Sequence, residues 1–130
     1  MKSPGEIEAQ AGEAVNRFLQ KTVGRGASTV TATLGAHVLY VHLHDVLTIG
    51  ERSLSSAASA QPRRGQSMVR EARDHLVRES RAELTATLAG IVGSTPSAML
   101  HDVDPASGQE LIAFLFAARV ARKGRSAAHG

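Results

Sequence analysis

Residues 38–54 pass from a strand pattern to a capped helix within one short stretch, and that junction restricts the chain to folds that mix both kinds of element. Val38-Leu39-Tyr40-Val41-His42-Leu43-His44 alternates, with Leu39, Val41 and Leu43 on one face and Tyr40, His42 and His44 on the other. The first face is core. The second is wetter, or covered by a partner. Val46-Leu47-Thr48-Ile49-Gly50-Glu51-Arg52-Ser53-Leu54 then runs straight into a helix, expected from Thr48 to about Ala58. Thr48 caps it and Glu51, three residues on, reaches back to the cap, the Thr-x-x-Glu spacing of a capping box.

The flanking segments extend the same logic. Ser3-Pro4-Gly5-Glu6 starts a helix, with Ser3 as cap, Pro4 at the first helical position and Glu6 completing a capping box. Ile7, Ala11, Ala14, Val15, Phe18 and Leu19 share its face, and the helix is expected to run to about Thr22, stopped by Gly24. Gly24-Arg25-Gly26 reads as a tight turn with Gly26 at positive φ. Residues 28–34 alternate and are rich in β-branched side chains, hence a strand paired with residues 38–44. Residues 59–65 read as a break. A long helix is expected from about Ser67 to Ala89, buried along Val69, Ala72, Leu76, Ser80, Leu84, Leu88 and Ile91. Arg70, Asp74, Arg78 and Arg81 form its charged face, and Gly90 and Gly93 end it. Residues 97–102 and 110–116 make a second hairpin about the turn Asp104-Pro105-Ala106-Ser107-Gly108. The unbroken apolar run of residues 111–116 marks a central strand. The order is α-β-β-α-α-β-β. Two antiparallel hairpins forming one sheet, packed against the first helix and the long helix, make an α+β fold.

A chain of 130 residues, 42% of them hydrophobic, is enough for one domain with a real core. Aromatics are only 3%. The core is therefore aliphatic, and the rings are too few for a base-stacking platform. With no cysteine, disulfides, thiolate nucleophiles and Cys-ligated zinc are excluded. No apolar run reaches the roughly 18–20 residues of a membrane span, and residues 1–6 lack a secretory signal. A cytoplasmic location is expected. The net charge is +3, and much of the excess sits in Arg119, Arg122, Lys123 and Arg125. Without these the body is nearly neutral, which argues against a specific nucleic-acid partner. The expected organisation is one domain over residues 1–118 and a basic, disordered tail over 119–130.

Few residues suggest chemistry. Arg25, Gly26, Thr48 and Glu51 are candidate ligand-binding residues. Arg25 presents a guanidinium from a turn, although Gly24-Arg25-Gly26 follows a helix rather than opening one and so is no phosphate loop. His42 and His44, at i,i+2 on one strand face, could share a metal with His75, His101 or Asp102. The alternatives are a surface strand face and ordinary turn chemistry. Ser53, Ser55 and Ser56 lack a positioned histidine–carboxylate pair, so no catalytic residue is assigned, and no cofactor is called for.

Three patches together carry a family resemblance: Gly24-Arg25-Gly26-Ala27 after a first helix; Val46-Leu47-Thr48-x-x-Glu51-x-x-Leu54 after a hairpin; and Leu88-Ala89-Gly90-x-Val92, followed by His101-Asp102-Val103-Asp104 and an apolar strand. This pattern, over about residues 5–118, resembles the MpsC-like family, named for a sodium-translocating, membrane-potential-generating system. The usual proline after Gly-Arg-Gly is Ala27 here. The resemblance implies a role beside a membrane transport protein, and no catalytic residues. The leading functional expectation is a non-catalytic accessory or regulatory protein acting through protein contacts as a homodimer. A small-molecule or anion-binding domain using Arg25 and basic helix residues is the alternative. A metal-dependent enzyme using His42, His44, His101 and Asp102 is a third reading.

Overall fold

The computed structural model describes residues 2–121. Eight elements follow one another: α1 (Pro4–Val23), β1 (Thr29–Leu34), β2 (Val38–His44), α2 (Ile49–Ser55), α3 (Pro62–Glu79), α4 (Arg81–Val92), β3 (Ala98–Asp104) and β4 (Gln109–Leu115). The four strands form one antiparallel sheet in the order β1-β2-β4-β3. The two hairpins thus join edge to edge through β2 and β4. As the apolar run of residues 111–116 predicts, β4 lies inside the sheet. The fold is α+β, with the expected element order.

Local chemistry sets the ends of these elements. Ser3 and Glu6 close a capping box at the start of α1, and Gly24, at φ 89°, ends it in the left-handed region that only glycine enters freely. Positive φ therefore falls at Gly24 and not at Gly26. Gly26 answers a different need. A Cβ there would lie 2.7 Å from Asn16 Oδ1, the acceptor that ties the Ala27 N–H back to α1.

The expected long helix is two helices. α3 starts at Pro62, so residues 62–65, read as a break, form its first turn. The chain breaks at Ser80 (φ −97°, ψ 11°), whose N–H is shared by the carbonyls of Leu76 and Val77 before α4 begins. Gly90 lies inside α4, and Gly93 (φ 84°) is its true stop. The buried stripe of α3 is Gly65, Val69, Arg73 and Val77, a strict i,i+4 series, while Ala72 is exposed. The second hairpin also differs in detail: β3 continues to Asp104, so the turn is confined to residues 105–108.

Alternation divides the sheet into two faces. Leu39, Val41, Leu43, Met99, Val103, Ile112 and Phe114 are buried beneath the helices, α1 lying over β1 and β2 and α3 over β3. Ile7, Val15, Leu19, Val69, Val77, Leu84 and Leu88 complete this aliphatic core from the helical side. The other face carries no helix among the described residues. The pairing register lays it out as rows across the sheet: the pairs Thr29–His44 and Gln109–Asp104 at one end, then Thr31–His42–Leu111–Asp102, then Thr33–Tyr40–Ala113–Leu100, and last Val38–Leu115–Ala98. After β4 the chain stays on the body. The Phe116 and Val120 N–H groups donate to the carbonyls of His37 and Ala36, and Ala121 is buried. Residues 122–130, most of the segment read as a basic tail, lie outside the described residues.

Candidate functional site

The centre of the α3 stripe is an arginine. Arg73 is fully buried, its guanidinium lying between α2 and β4. Its Nε donates to Glu51 Oε2 at 2.8 Å and its Nη2 to Glu51 Oε1 at 2.7 Å, a two-pronged pair. Nη1 donates to Glu110 Oε1 at 3.1 Å, and Nη2 also reaches the Val46 carbonyl. Glu110, 1% exposed, opens β4 and points inward in phase with Ile112 and Phe114.

The network continues on the other side of Glu110. Its Oε2 lies 2.5 Å from His101 Nε2, and His101 Nδ1 lies 2.9 Å from Asp74 Oδ1. Asp74 in turn accepts from Arg78 Nε at 2.7 Å. Glu51, Arg73, Glu110, His101, Asp74 and Arg78 thus form one chain of alternating sign from α2 through the core to the surface of α3. A charge withdrawn from water costs several kcal/mol unless paired and hydrogen-bonded. Here every buried member has at least two partners.

Burial alone would push the His101 imidazole down, but its hydrogen bonds to Glu110 and Asp74, with their negative charge, outweigh it and hold the pKa above its ordinary value. The hydrogen bond from His101, with Arg78 behind it, holds the Asp74 carboxyl below its usual range despite partial burial. Burial likewise raises Glu51, and the opposing bonds from Arg73 and Thr48 bring it below its usual value.

These directions fix a pH dependence. A folded His101 with a raised pKa keeps a proton that the unfolded chain releases above about pH 6.5. Its contribution is therefore complete below about pH 6.5 and is lost as pH rises through the folded value. Asp74 and Glu51 have depressed folded values, so their contribution is present above about pH 4 and lost as pH falls through those values. Stability is expected to peak between about pH 4.5 and about pH 6.5 and to decline on the alkaline side. Urea midpoints measured across this range check it: the alkaline decline should vanish in His101→Gln, and a flat wild-type profile above pH 6.5 contradicts the assignment.

The residues singled out in the sequence fall into three places. Thr48 and Glu51 form the expected capping box of α2, with Thr48 N to Glu51 Oε1 at 2.9 Å and Glu51 N to Thr48 Oγ1 at 3.2 Å. Glu51 does more than cap, because the same carboxylate holds Arg73. Arg25 turns to Asp45, donating to its carboxylate at 2.8 Å and to its carbonyl. Arg52 grips the other carboxylate oxygen at 2.7 Å. The two arginines hold Asp45 at φ 56°, the one non-glycine at positive φ among the described residues. The glycine loop and the strand-to-helix segment are thereby joined. Gly26 sits against Asn16, as above.

The histidines do not converge. His42 and His44 stack at 4.2 Å between ring centroids on the open sheet face, where His42 Nε2 bonds Gln109 Oε1 at 2.8 Å. His101 is on the opposite, buried face. Asp102, its neighbour in sequence, points back to the open side and pairs with Arg70 at 3.2 Å. Among the described residues no group of three or more His, Asp or Glu side chains could hold a metal ion. Arg73, Glu110 and the inward role of Asp74 escape a reading of the sequence that assigns charges to solvent. The signals were there in the i,i+4 series through Gly65, Val69, Arg73 and Val77 and in a glutamate placed in phase with the buried residues of a central strand.

What these features define is a two-layer α+β domain with a fully matched ionic network inside and one sheet face that no helix covers among the described residues. The chain belongs to the family described as Na+-translocating membrane potential-generating system (MpsC), whose model matches residues 3–118. No curated protein and no solved structure matches it. No helix among the described residues is long and apolar enough to cross a membrane.

Proposed function

We propose that this chain is a non-catalytic accessory or regulatory subunit of a sodium-translocating, membrane-potential-generating system, acting through protein contacts. The observation that carries this reading is the saturation of its interior charges. His101, held between the carboxylates of Asp74 and Glu110, has both ring nitrogens engaged. Arg73 spends its fork on Glu51, Glu110 and Val46. A general base or an anion-binding guanidinium must have a free position facing substrate, and these groups face one another. The groove of about 370 Å³ between α1 and β1, lined by Glu8, Gly12, Asn16 and Thr31 among others, contains none of them. Arg25, which the anion-binding alternative uses together with basic helix residues, is already committed to Asp45.

Deleting the gene in the organism that carries it tests the reading. Sodium-dependent membrane potential, followed with a potential-sensitive dye, is expected to fall and to return with a plasmid copy. An unchanged sodium-dependent potential in the deletion strain overturns it.

A further inference from the structure

We propose that the uncovered face of the sheet is the contact surface for a second copy of this chain, in a two-fold dimer that stacks β2 of each copy on β4 of the other. The inference builds on the reading of the protein as one that works through protein contacts, and names the first of those contacts.

The face is unusual for a surface that stays in water. Three of its large apolar side chains are well exposed: Leu100 at 56%, Leu111 at 43% and Tyr40 at 38%. They sit in two adjacent rows on neighbouring strands, and Val38, Leu115 and Ala98 extend the patch to the end of the sheet. Single exposed apolar residues are ordinary, but a contiguous patch marks a contact surface. The polar groups of the face, His42, His44, Gln109, Asp102 and Asp104, lie in the row of Leu111 and beyond it, away from Val38 and Leu115.

The layout is self-complementary. A two-fold axis along the strands, between β2 and β4, exchanges those two strands and exchanges β1 with β3 while keeping each row at its own height. Such an interface is isologous, each residue meeting its counterpart in both directions. Tyr40 then lies over Ala113, the largest side chain of the central strands over the smallest. Leu111 lies over His42, Leu115 over Val38 and Leu100 over Thr33. At the polar end Asp102 and Asp104 lie over the hydroxyls of Thr31 and Thr29, and His44 over Gln109. Tyr40 over Ala113 and Leu115 over Val38 set apolar on apolar, Leu111 and Leu100 face His42 and Thr33, and no two like charges meet. The right-handed twist of each sheet rotates the pair by roughly 30°, which loosens the corners and leaves the central contacts near the axis.

The area suffices. Strands about 4.8 Å apart with about 3.4 Å per residue give a face of roughly 19 by 24 Å for four strands of six or seven residues. Two such faces offer about 900 Å² of flat area before side-chain relief is counted, and a specific interface requires about 1,000 Å². An aliphatic core with few rings has much to gain from this added burial.

The test is light scattering and sedimentation on the purified full chain at micromolar concentration, with three variants. The wild type is expected to be a dimer. Leu100→Lys/Leu111→Lys should be monomeric and retain a cooperative melt, because both side chains are exposed in the single chain. Ala113→Tyr should weaken association by on the order of 100-fold, as loss of a central contact does, by setting two rings against each other. Tyr40→Ala/Ala113→Tyr, which exchanges large and small across the axis, should restore it. A monomeric wild type overturns the proposal, including the case in which a different protein occupies the face. So does a dimer indifferent to the lysines or a swap that fails to rescue. The measurement uses purified protein alone, so its outcome is independent of the sodium-dependent potential in cells.

Discussion

Arg73→Met is expected to destabilise the protein by about 3–5 kcal/mol, the cost of breaking a buried ion pair from one side. The methionine fills most of the volume, so the loss is electrostatic rather than a cavity. It strands Glu110, 1% exposed, with His101 as its remaining charged partner, and strips Glu51 of its two-pronged contact. It also leaves the Val46 carbonyl without its donor. Urea denaturation gives the value directly, as a shift of midpoint at unchanged slope. A second variant separates the two possible sources of the loss. Replacing the ionic centre together, as Arg73→Met/Glu110→Leu/His101→Leu, removes the stranded charge and should recover much of the stability, since well-packed apolar groups often do as well as a buried ionic cluster. A single variant within 1 kcal/mol of the wild type would mean that water reaches this centre and that the network is no constraint on the fold.

Gly65→Ala is expected to have an effect of similar size for a steric reason. Alanine in a helix is ordinarily favoured over glycine by about 0.5–1 kcal/mol. At Gly65, however, a Cβ would lie 1.8 Å from the carbonyl oxygen of Leu54 and 2.6 Å from its carbonyl carbon. The obstacle is backbone, held in place because Gln66 Nε2 bonds the next carbonyl, that of Ser55, at 3.0 Å. α2 must move off α3, taking Glu51 with it. The net change is expected at or beyond the upper end of the roughly 1–3 kcal/mol of an overpacked core. Gly90 is the internal control. It is also helical, but nothing lies within 4 Å of its Cβ position, so Gly90→Ala should stabilise by about 0.5–1 kcal/mol. Thermal melts of the two variants should move in opposite directions.

Gly65 also illustrates what could and could not be read from the chain. Glycine after a proline and two arginines looks like a break, and nothing local reveals that a neighbouring helix crosses there. Features set by nearest neighbours were legible: both capping boxes, the stop of the first helix at Gly24, the alternation of residues 38–44, and the central place of the strand that carries Ile112, Phe114 and Leu115. The helix break at Ser80 was not, because no glycine or proline marks it. The network was not, because its partners come together only through tertiary structure: Arg73 meets Glu110 across 37 positions and Glu51 across 22. His101 and Asp102 looked like a pair by adjacency, whereas consecutive strand residues point to opposite faces.

The seam between β2 and β4 has a consequence for how the chain reaches this state. Each hairpin closes over a few residues, but the seam joins positions as far apart as Val38 and Leu115, 77 apart in sequence. Bringing such distant segments together costs roughly 2–3 kcal/mol more chain entropy than closing a tight hairpin turn, and that cost falls due before most of the sheet's inner face has anything to rest on. Arg73 joins Glu110 on β4 to Glu51 and the Val46 carbonyl, which follow β2, so the network is complete only when the seam shuts. Zipping the two halves of the sheet and completing the charge network beneath it are therefore one event, and an ensemble with one half assembled lacks a strand partner and leaves Arg73 without part of its acceptors.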